Sequence, residues 1–189
     1  MKVKGCVRRG LATSVLPLAA LLSATSAHAV DGTVTITGSI TDASCTIDID
    51  GGTGGDYTLA LPVVGISSFK SVGNSAGATQ FNFNLSECTG TDTAPTKVRA
   101  HFEAINVDVS TGNLLNMAMI NGASGIEVQI ANADGQPIDL RDNKNNNYAD
   151  IDAENGSATM SYVAQYVSID PAVTAGTVNA QLMYSLEYL

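Results

Sequence analysis

An all-β sandwich is the fold class this sequence predicts. Three observations carry that expectation: short segments with a hydrophobic period of two, frequent turn clusters between them, and a cysteine pair suited to one disulfide. The apolar share, 44%, is that of a packed domain, while the charged share is only 14%. Soluble proteins typically carry roughly 25% charged residues. A disordered acidic chain needs more charge and less apolar content than this. Nine Lys and Arg stand against 18 Asp and Glu, a net charge of −9. A phosphate-binding surface needs the opposite sign, so no nucleic-acid partner is expected.

The elements follow in chain order. Lys2, Lys4, Arg8 and Arg9 precede the mostly apolar run Leu11 to Leu22, and Ala27-His28-Ala29 then offers small residues two apart. This predicts a secretory leader over residues 1–29, cleaved after Ala29. The alternative, an N-terminal membrane anchor, is disfavoured because spanning a bilayer takes about 20 apolar residues. Removing 29 residues with four basic side chains and Cys6 leaves 160 residues, five of them basic and 18 acidic, for a charge of −13. Cys45 and Cys88 remain. In an oxidising compartment their direct reading is one disulfide rather than two free thiols. It would close a loop of 44 residues, which the chain-entropy model values at about 4 kcal/mol.

From Val30 the even positions read Val30, Gly32, Val34, Ile36, Gly38 and Ile40, and the odd positions are all polar. That is the pattern of a half-buried strand. Further strand signals are Phe81 to Leu85, Val98 to Ala104, Ile126 to Ile130, residues 159–167, and Val178 to Tyr188. Turn clusters rich in Gly, Asn, Asp and Pro occupy Asp50 to Gly55, Val72 to Gly77, Thr89 to Pro95, Asn132 to Pro137, Asn143 to Asn147 and Asp170 to Gly176. Leu114 to Ile120 reads equally as a short helix or an irregular loop. No internal repeat is present.

The clean strand patterns sit at the two ends of the mature chain, although sheets normally blunt their edges. Val30 to about Thr37 therefore reads either as an ordinary N-terminal strand of the same sandwich or as a segment reaching beyond its own domain.

Thr33-Val34-Thr35-Ile36-Thr37-Gly38, followed by Ile40 and Cys45, forms one motif. Phe81 to Leu85 leading into Cys88 forms a second. Thr174-Ala175-Gly176-Thr177 before an alternating strand with the penultimate Tyr188 forms a third. In this order they resemble the type 1 fimbrial major subunit, a pilin of the chaperone–usher pathway, over essentially the whole mature chain. Leu189 after Tyr188 departs from the pattern, and the acidic, Asn-rich stretch Asp139 to Glu154 has no counterpart in it.

The resemblance implies an incomplete immunoglobulin-like β-sandwich lacking its last strand, with a signal peptide at 1–29, a donor-strand extension at 30–41 and a pilin domain at 42–189. It implies a groove beside the C-terminal strand, with Leu182, Tyr184, Leu186 and Tyr188 lining it and meeting a periplasmic pilus chaperone. In the fibre, the extension of the next subunit fills that groove by strand addition. Val34 and Ile36 would be the knobs, and Gly38 would sit where the groove has no depth. Such contacts are head-to-tail and propagate as an open filament. The partners implied are identical or related pilins, the chaperone and an outer-membrane usher. The location implied is a cell-surface fimbrium that mediates adhesion. A minor adaptor or an adhesin of the same system is the alternative, although an adhesin would need a second domain for which 160 residues leave no room.

Catalytic chemistry is weakly represented, and neither an enzyme nor a cofactor is expected. His101 lies on the polar face of a strand pattern without ligands at metal spacing. The carboxylate pairs Asp48/Asp50 and Asp150/Asp152 fall in polar, loop-like stretches rather than where glycoside hydrolysis would place them. Nucleophile-elbow and phosphate-loop motifs are missing from the sequence. Asp142, Asn143, Asn145, Asn147, Asp150 and Asp152 offer oxygens to calcium but not in the order of the helix–loop–helix site, so a solvated turn is the favoured reading. Asn84-Leu85-Ser86 and Asn155-Gly156-Ser157 match the glycosylation triplet and are expected to be bare in a bacterial source.

Overall fold

The computed structural model describes residues 34–52, 54–89 and 95–189. The predicted leader and the first residues of the alternating extension, 30–33, lie outside them. The chain divides into two units, Met1–Ser39 and Ile40–Leu189. Residues 34–43 carry no β-ladder, and Val34, Ile36 and Ile40 are exposed.

Seven strands build the second unit: β1 Ser44–Ile49, β2 Ser75–Thr89, β3 Lys97–Phe102, β4 Ile126–Asn132, β5 Ala149–Asp150, β6 Ala158–Ser168 and β7 Tyr184–Tyr188. They form two antiparallel sheets, β1-β2-β6-β4 and β5-β3-β7. Among the described residues the only helical element is the single 3-10 turn Ile66–Ser68. An all-β sandwich is therefore what forms.

Alternation dictates the core. Phe81, Phe83 and Leu85 of β2, Val98, Ala100 and Phe102 of β3, Val128 and Ile130 of β4, and Met160, Tyr162 and Ala164 of β6 point inward and are buried. Tyr162 lies at the centre, edge-on to Phe83 at 5.7 Å and to Phe102 at 5.1 Å. Its hydroxyl donates to Asn146 Oδ1 (3.3 Å) and accepts from the Ala100 amide (3.4 Å). Burial pushes its pKa up to about 12, so it remains a neutral donor.

Several boundaries differ from the sequence reading. Ser75 to Gly77 begin β2 instead of ending a turn, with a register shift between Ala76 and Thr79 against β6. Gly77 sits there at φ +72°, and a Cβ on it would lie 2.9 Å from the Tyr166 ring. A bulge with a left-handed glycine is the physical reason the strand continues through a turn-like sequence. Leu114 to Ile120 is an irregular loop, tied by isolated bridges from Leu114 to Val107 and to Val128. At the C-terminus only Tyr184–Tyr188 joins a ladder. The predicted strand is shortened because Val178 to Met183 alternates in exposure yet has no ladder neighbour among the described residues. The disulfide Cys45–Cys88 joins β1 to β2, with Cα atoms 4.1 Å apart.

The Asn-rich loop is structural. Asn143, at φ +56°, accepts from the Phe102 amide and donates to the Phe102 carbonyl, both at 2.8 Å. Asn146 Nδ2 donates to the Ala100 carbonyl at 2.7 Å. Two side chains thus do what a neighbouring strand would do for the open side of β3, and β5 continues the pairing at Lys97 and Val98. An exposed edge of β3 is thereby satisfied, and these amides are committed to the backbone.

Candidate strand-binding groove

Two extended segments without ladders flank a groove of about 970 Å³. One wall is residues 55–61 and the other is 178–184. On the first, Leu59 and Leu61 turn inward and are half-buried while Thr58 and Ala60 are exposed; on the second, Val178, Ala180 and Leu182 turn inward while Asn179 and Gln181 are exposed. Both therefore have a strand's facial alternation without forming a ladder among the described residues. The floor is the sandwich core itself: Phe81 and Phe83 from β2, Val128 and Ile130 from β4, Ala164 and Tyr166 from β6, with Ile49 and Leu114.

The two ends of the groove differ. At one, the Tyr184 hydroxyl donates to the Gly55 carbonyl at 2.8 Å, joining the walls. The Tyr184 ring stands edge-on to Phe83 at 4.7 Å. Burial, and the charge of Asp56, push its hydroxyl pKa up, which keeps the donor protonated. Gly55 has φ +80°, and a Cβ on it would lie 2.8 Å from that hydroxyl, so the bridge requires glycine. At the other end, the Met117 amide donates to the Asn179 carbonyl at 2.7 Å, and Asn116 Oδ1 accepts from the Asn179 amide at 3.0 Å. Pro62 lies beside Tyr166 and Gly77, and Tyr166 pairs through Val128 to Leu114. Residues 61–62 and 178–179 therefore share that end, and the walls run antiparallel.

Among the described residues of the lining, Asp56 is the one carboxylate, and none is histidine, lysine, arginine or cysteine. A trough with an apolar floor between two segments that form no ladder has the shape of an extended peptide's seat: a strand lying in it would gain ladder bonds and bury alternate side chains in the floor. Of the residues expected from the sequence to line such a groove, Leu182 and Tyr184 do so. Leu186 and Tyr188 lie further along, in the ladder opposite Ala100 and Val98, half-buried against the core. Val34, Ile36 and Gly38 belong to the first unit and are exposed. The wall at 55–61 was not anticipated. Its signal was the alternation of Tyr57, Leu59 and Leu61 ahead of Pro62.

Titratable groups cluster elsewhere. Glu187 on β7 accepts from Arg99 Nη2 (2.7 Å) and Nε (2.9 Å), from the Tyr148 hydroxyl, and lies 3.3 Å from His101 Nδ1. Burial pushes its carboxyl up, but the Tyr148 and Arg99 hydrogen bonds and the Arg99 charge outweigh burial, and its pKa falls below the ordinary value. His101 is thus a member of a cross-strand ion cluster that pins β7 to β3. Glu127 is buried on β4, where its Oε2 accepts from Thr111 Oγ1 (2.7 Å) and Asn113 Nδ2 (3.1 Å).

The family model for type-1 fimbrial protein, A, matches residues 61–189. The chain belongs to that family. It is 32% identical to the major fimbrial subunit SMF-1 of Stenotrophomonas maltophilia, over 86% of this chain and 95% of that one. It is 34% identical to the F17 fimbrial protein of Escherichia coli, over 92% and 96% of the respective chains. Among solved structures, the P pilus rod subunit PapA superposes with a TM-score of 0.56 at 17% identity, covering 77% of this chain and 99% of PapA, a likeness of fold. This type-1 fimbrial protein is a structural fimbrial subunit with an immunoglobulin-like pilin fold.

Proposed function

We propose that this subunit polymerises by donor-strand exchange: residues 30–41 of one copy lie in the groove of the next, with Val34 and Ile36 in the floor and Gly38 at a point without depth. The observation that carries the reading is the pair of ladder-free walls enclosing an apolar trough. The same sequence also carries, ahead of β1, an alternating segment whose Val34 and Ile36 are 88% and 90% exposed. A missing strand and a spare strand in one chain make a head-to-tail, open-ended assembly. Before assembly, a periplasmic chaperone strand fills the groove against Leu182, Tyr184 and the β7 segment, and an outer-membrane usher exports the subunit to a surface pilus that serves adhesion. The groove's chemistry, an apolar floor with a single carboxylate in its described lining, supports a binding role.

Co-expression tests this. Expressed with a periplasmic export signal, the subunit alone is expected to aggregate or be degraded, and with its chaperone to accumulate as a one-to-one complex. A monomer that accumulates alone with its groove open, and that forms neither chaperone complex nor fibre, would overturn the reading.

A further inference from the structure

Exposed apolar side chains gather at one end of the groove. Val63 follows the first wall and is 102% exposed. Met117, Met119 and Ile120 lie on the loop beside the start of the second wall and are 43%, 98% and 79% exposed. The loop is anchored there by Met117 N to Asn179 O, by Thr177 N to Asn121 O (2.7 Å) and by Thr177 Oγ1 to Ile120 O (3.1 Å). Isolated exposed apolar residues need no explanation, but several sharing one end of a groove with an apolar floor point to a contact.

We propose that Val63, Met117, Met119 and Ile120 form a second contact between consecutive subunits, covered by the folded body of the copy whose extension fills the groove. This rests on the donor-strand reading and adds a surface to it. The occupant follows from the geometry. The Tyr184–Gly55 bridge joins the walls at the opposite end, so a donor strand cannot run out past that end to its own domain without breaking the bridge. The donor therefore lies with its N-terminal side toward Tyr184 and leaves the groove beside Met117. From Thr41, the last residue of the proposed donor, to the start of β1 at Ser44 is three residues, a reach of about 10 Å at most. The donor's body is thus tethered against this rim. The rim also suits two copies of an acidic chain: residues 57–69 and 109–126 contain no charged side chain, so contact there avoids the repulsion that the mature chain's net negative charge imposes elsewhere.

The test uses the double variant M119S/I120S in the mature chain, whose exposed positions leave the core untouched. Three quantities are measured against the parent: dissociation of head-to-tail subunit pairs in guanidinium, dissociation of a synthetic peptide of residues 30–40 from the groove, and yield of chaperone complex. Pairs of the variant are expected to separate faster by about tenfold or more, as for losing one to two well-buried apolar contacts, while peptide dissociation and chaperone yield stay within about twofold. Pairs that separate at the parental rate overturn the proposal. So does a loss of chaperone complex with pair stability unchanged, which would assign the rim to the chaperone. A parent subunit that binds no peptide refutes the groove reading, and this contact with it.

Discussion

Ile36→Asp isolates the donor role from everything else the chain does. Ile36 is 90% exposed in the subunit, so folding draws nothing from it, and its apolar area becomes buried only on assembly. Burying one isoleucine stabilises by about 1.5–3 kcal/mol. Aspartate removes that gain and places a carboxylate over a floor of Phe81, Phe83 and Ile130. Desolvating a charge there without a partner costs at least as much again. The two effects total about 4 kcal/mol, or about a thousandfold weaker junction, and a fibre needs every junction. Thr35→Asp changes the opposite face of the same strand and should be mild. Gly38→Leu tests depth: a Cβ at Gly38 meets nothing within 4 Å in the subunit, so any loss arises in the assembled groove, where overpacking costs roughly 1–3 kcal/mol. The assay counts fibres by electron microscopy and quantifies chaperone complex for all three variants. Ile36→Asp should abolish fibres, Gly38→Leu should slow or block them, and all three should keep the chaperone complex. Normal fibres from Ile36→Asp would refute the reasoning, as would loss of chaperone complex as complete as loss of fibre.

Three further outcomes concern the scaffold that holds the groove open. Cys45→Ala releases the 44-residue loop between β1 and β2 and should cost about 2–5 kcal/mol in urea unfolding of the chaperone-released subunit; two thiols reactive in the native wild type would contradict the bond. Asn143→Ala leaves the buried Phe102 amide and carbonyl without partners, at about 1–3 kcal/mol each, so a loss below about 1 kcal/mol would show that water or another amide takes over. Glu187 titrates below the ordinary glutamate value in the fold because hydrogen bonds from Tyr148 and Arg99 outweigh burial. Its contribution is therefore complete above the unfolded value of about 4.3 and is lost as pH falls through the lower folded value. Melting temperature should drop below about pH 4.3, less steeply in Glu187→Gln. An unchanged slope would leave the drop to other depressed carboxyls such as Asp139, held down by Arg141.

How much of this was legible in the sequence depends on the length of each signal. β2, β3, β4 and β6 announce themselves because each alternates over several residues and buries a full face. β1 went unnamed: its inward residues Cys45, Ile47 and Ile49 alternate, but the strand has six residues and only Ile49 is fully buried. β5 has two residues and pairs only Lys97 and Val98 of β3, whose edge the Asn143 and Asn146 side chains satisfy at Phe102 and Ala100. No propensity rule reads an asparagine as a surrogate strand. Asn143 also reads in sequence as a candidate calcium ligand, since an oxygen donor to a metal and an amide pair for a backbone have the same composition and differ only in where the chain brings them.

The C-terminal segment shows a deeper limit, and it bears on function. Hydrophobic period records which face of a segment is buried. It carries no information on whether the segment has a neighbour in its own sheet. Val178 to Met183 satisfies the first requirement and forms no ladder among the described residues, as do residues 55–61. Both segments nevertheless keep alternate side chains on the core, so the walls are fixed before any strand lies between them. A site built in this way is preorganised in its side chains and unsatisfied in its backbone. Unpaired amides and carbonyls at such an edge are tolerated only while water reaches them. On the proposed reading, the donor's ladder bonds would replace those waters as its knobs enter the floor, so that affinity and specificity would arise in the same step. The departure of the last strand from its sequence expectation is thus the structural form of the site itself: the pattern of a strand is written in the chain, and the proposed donor supplies the ladder it lacks.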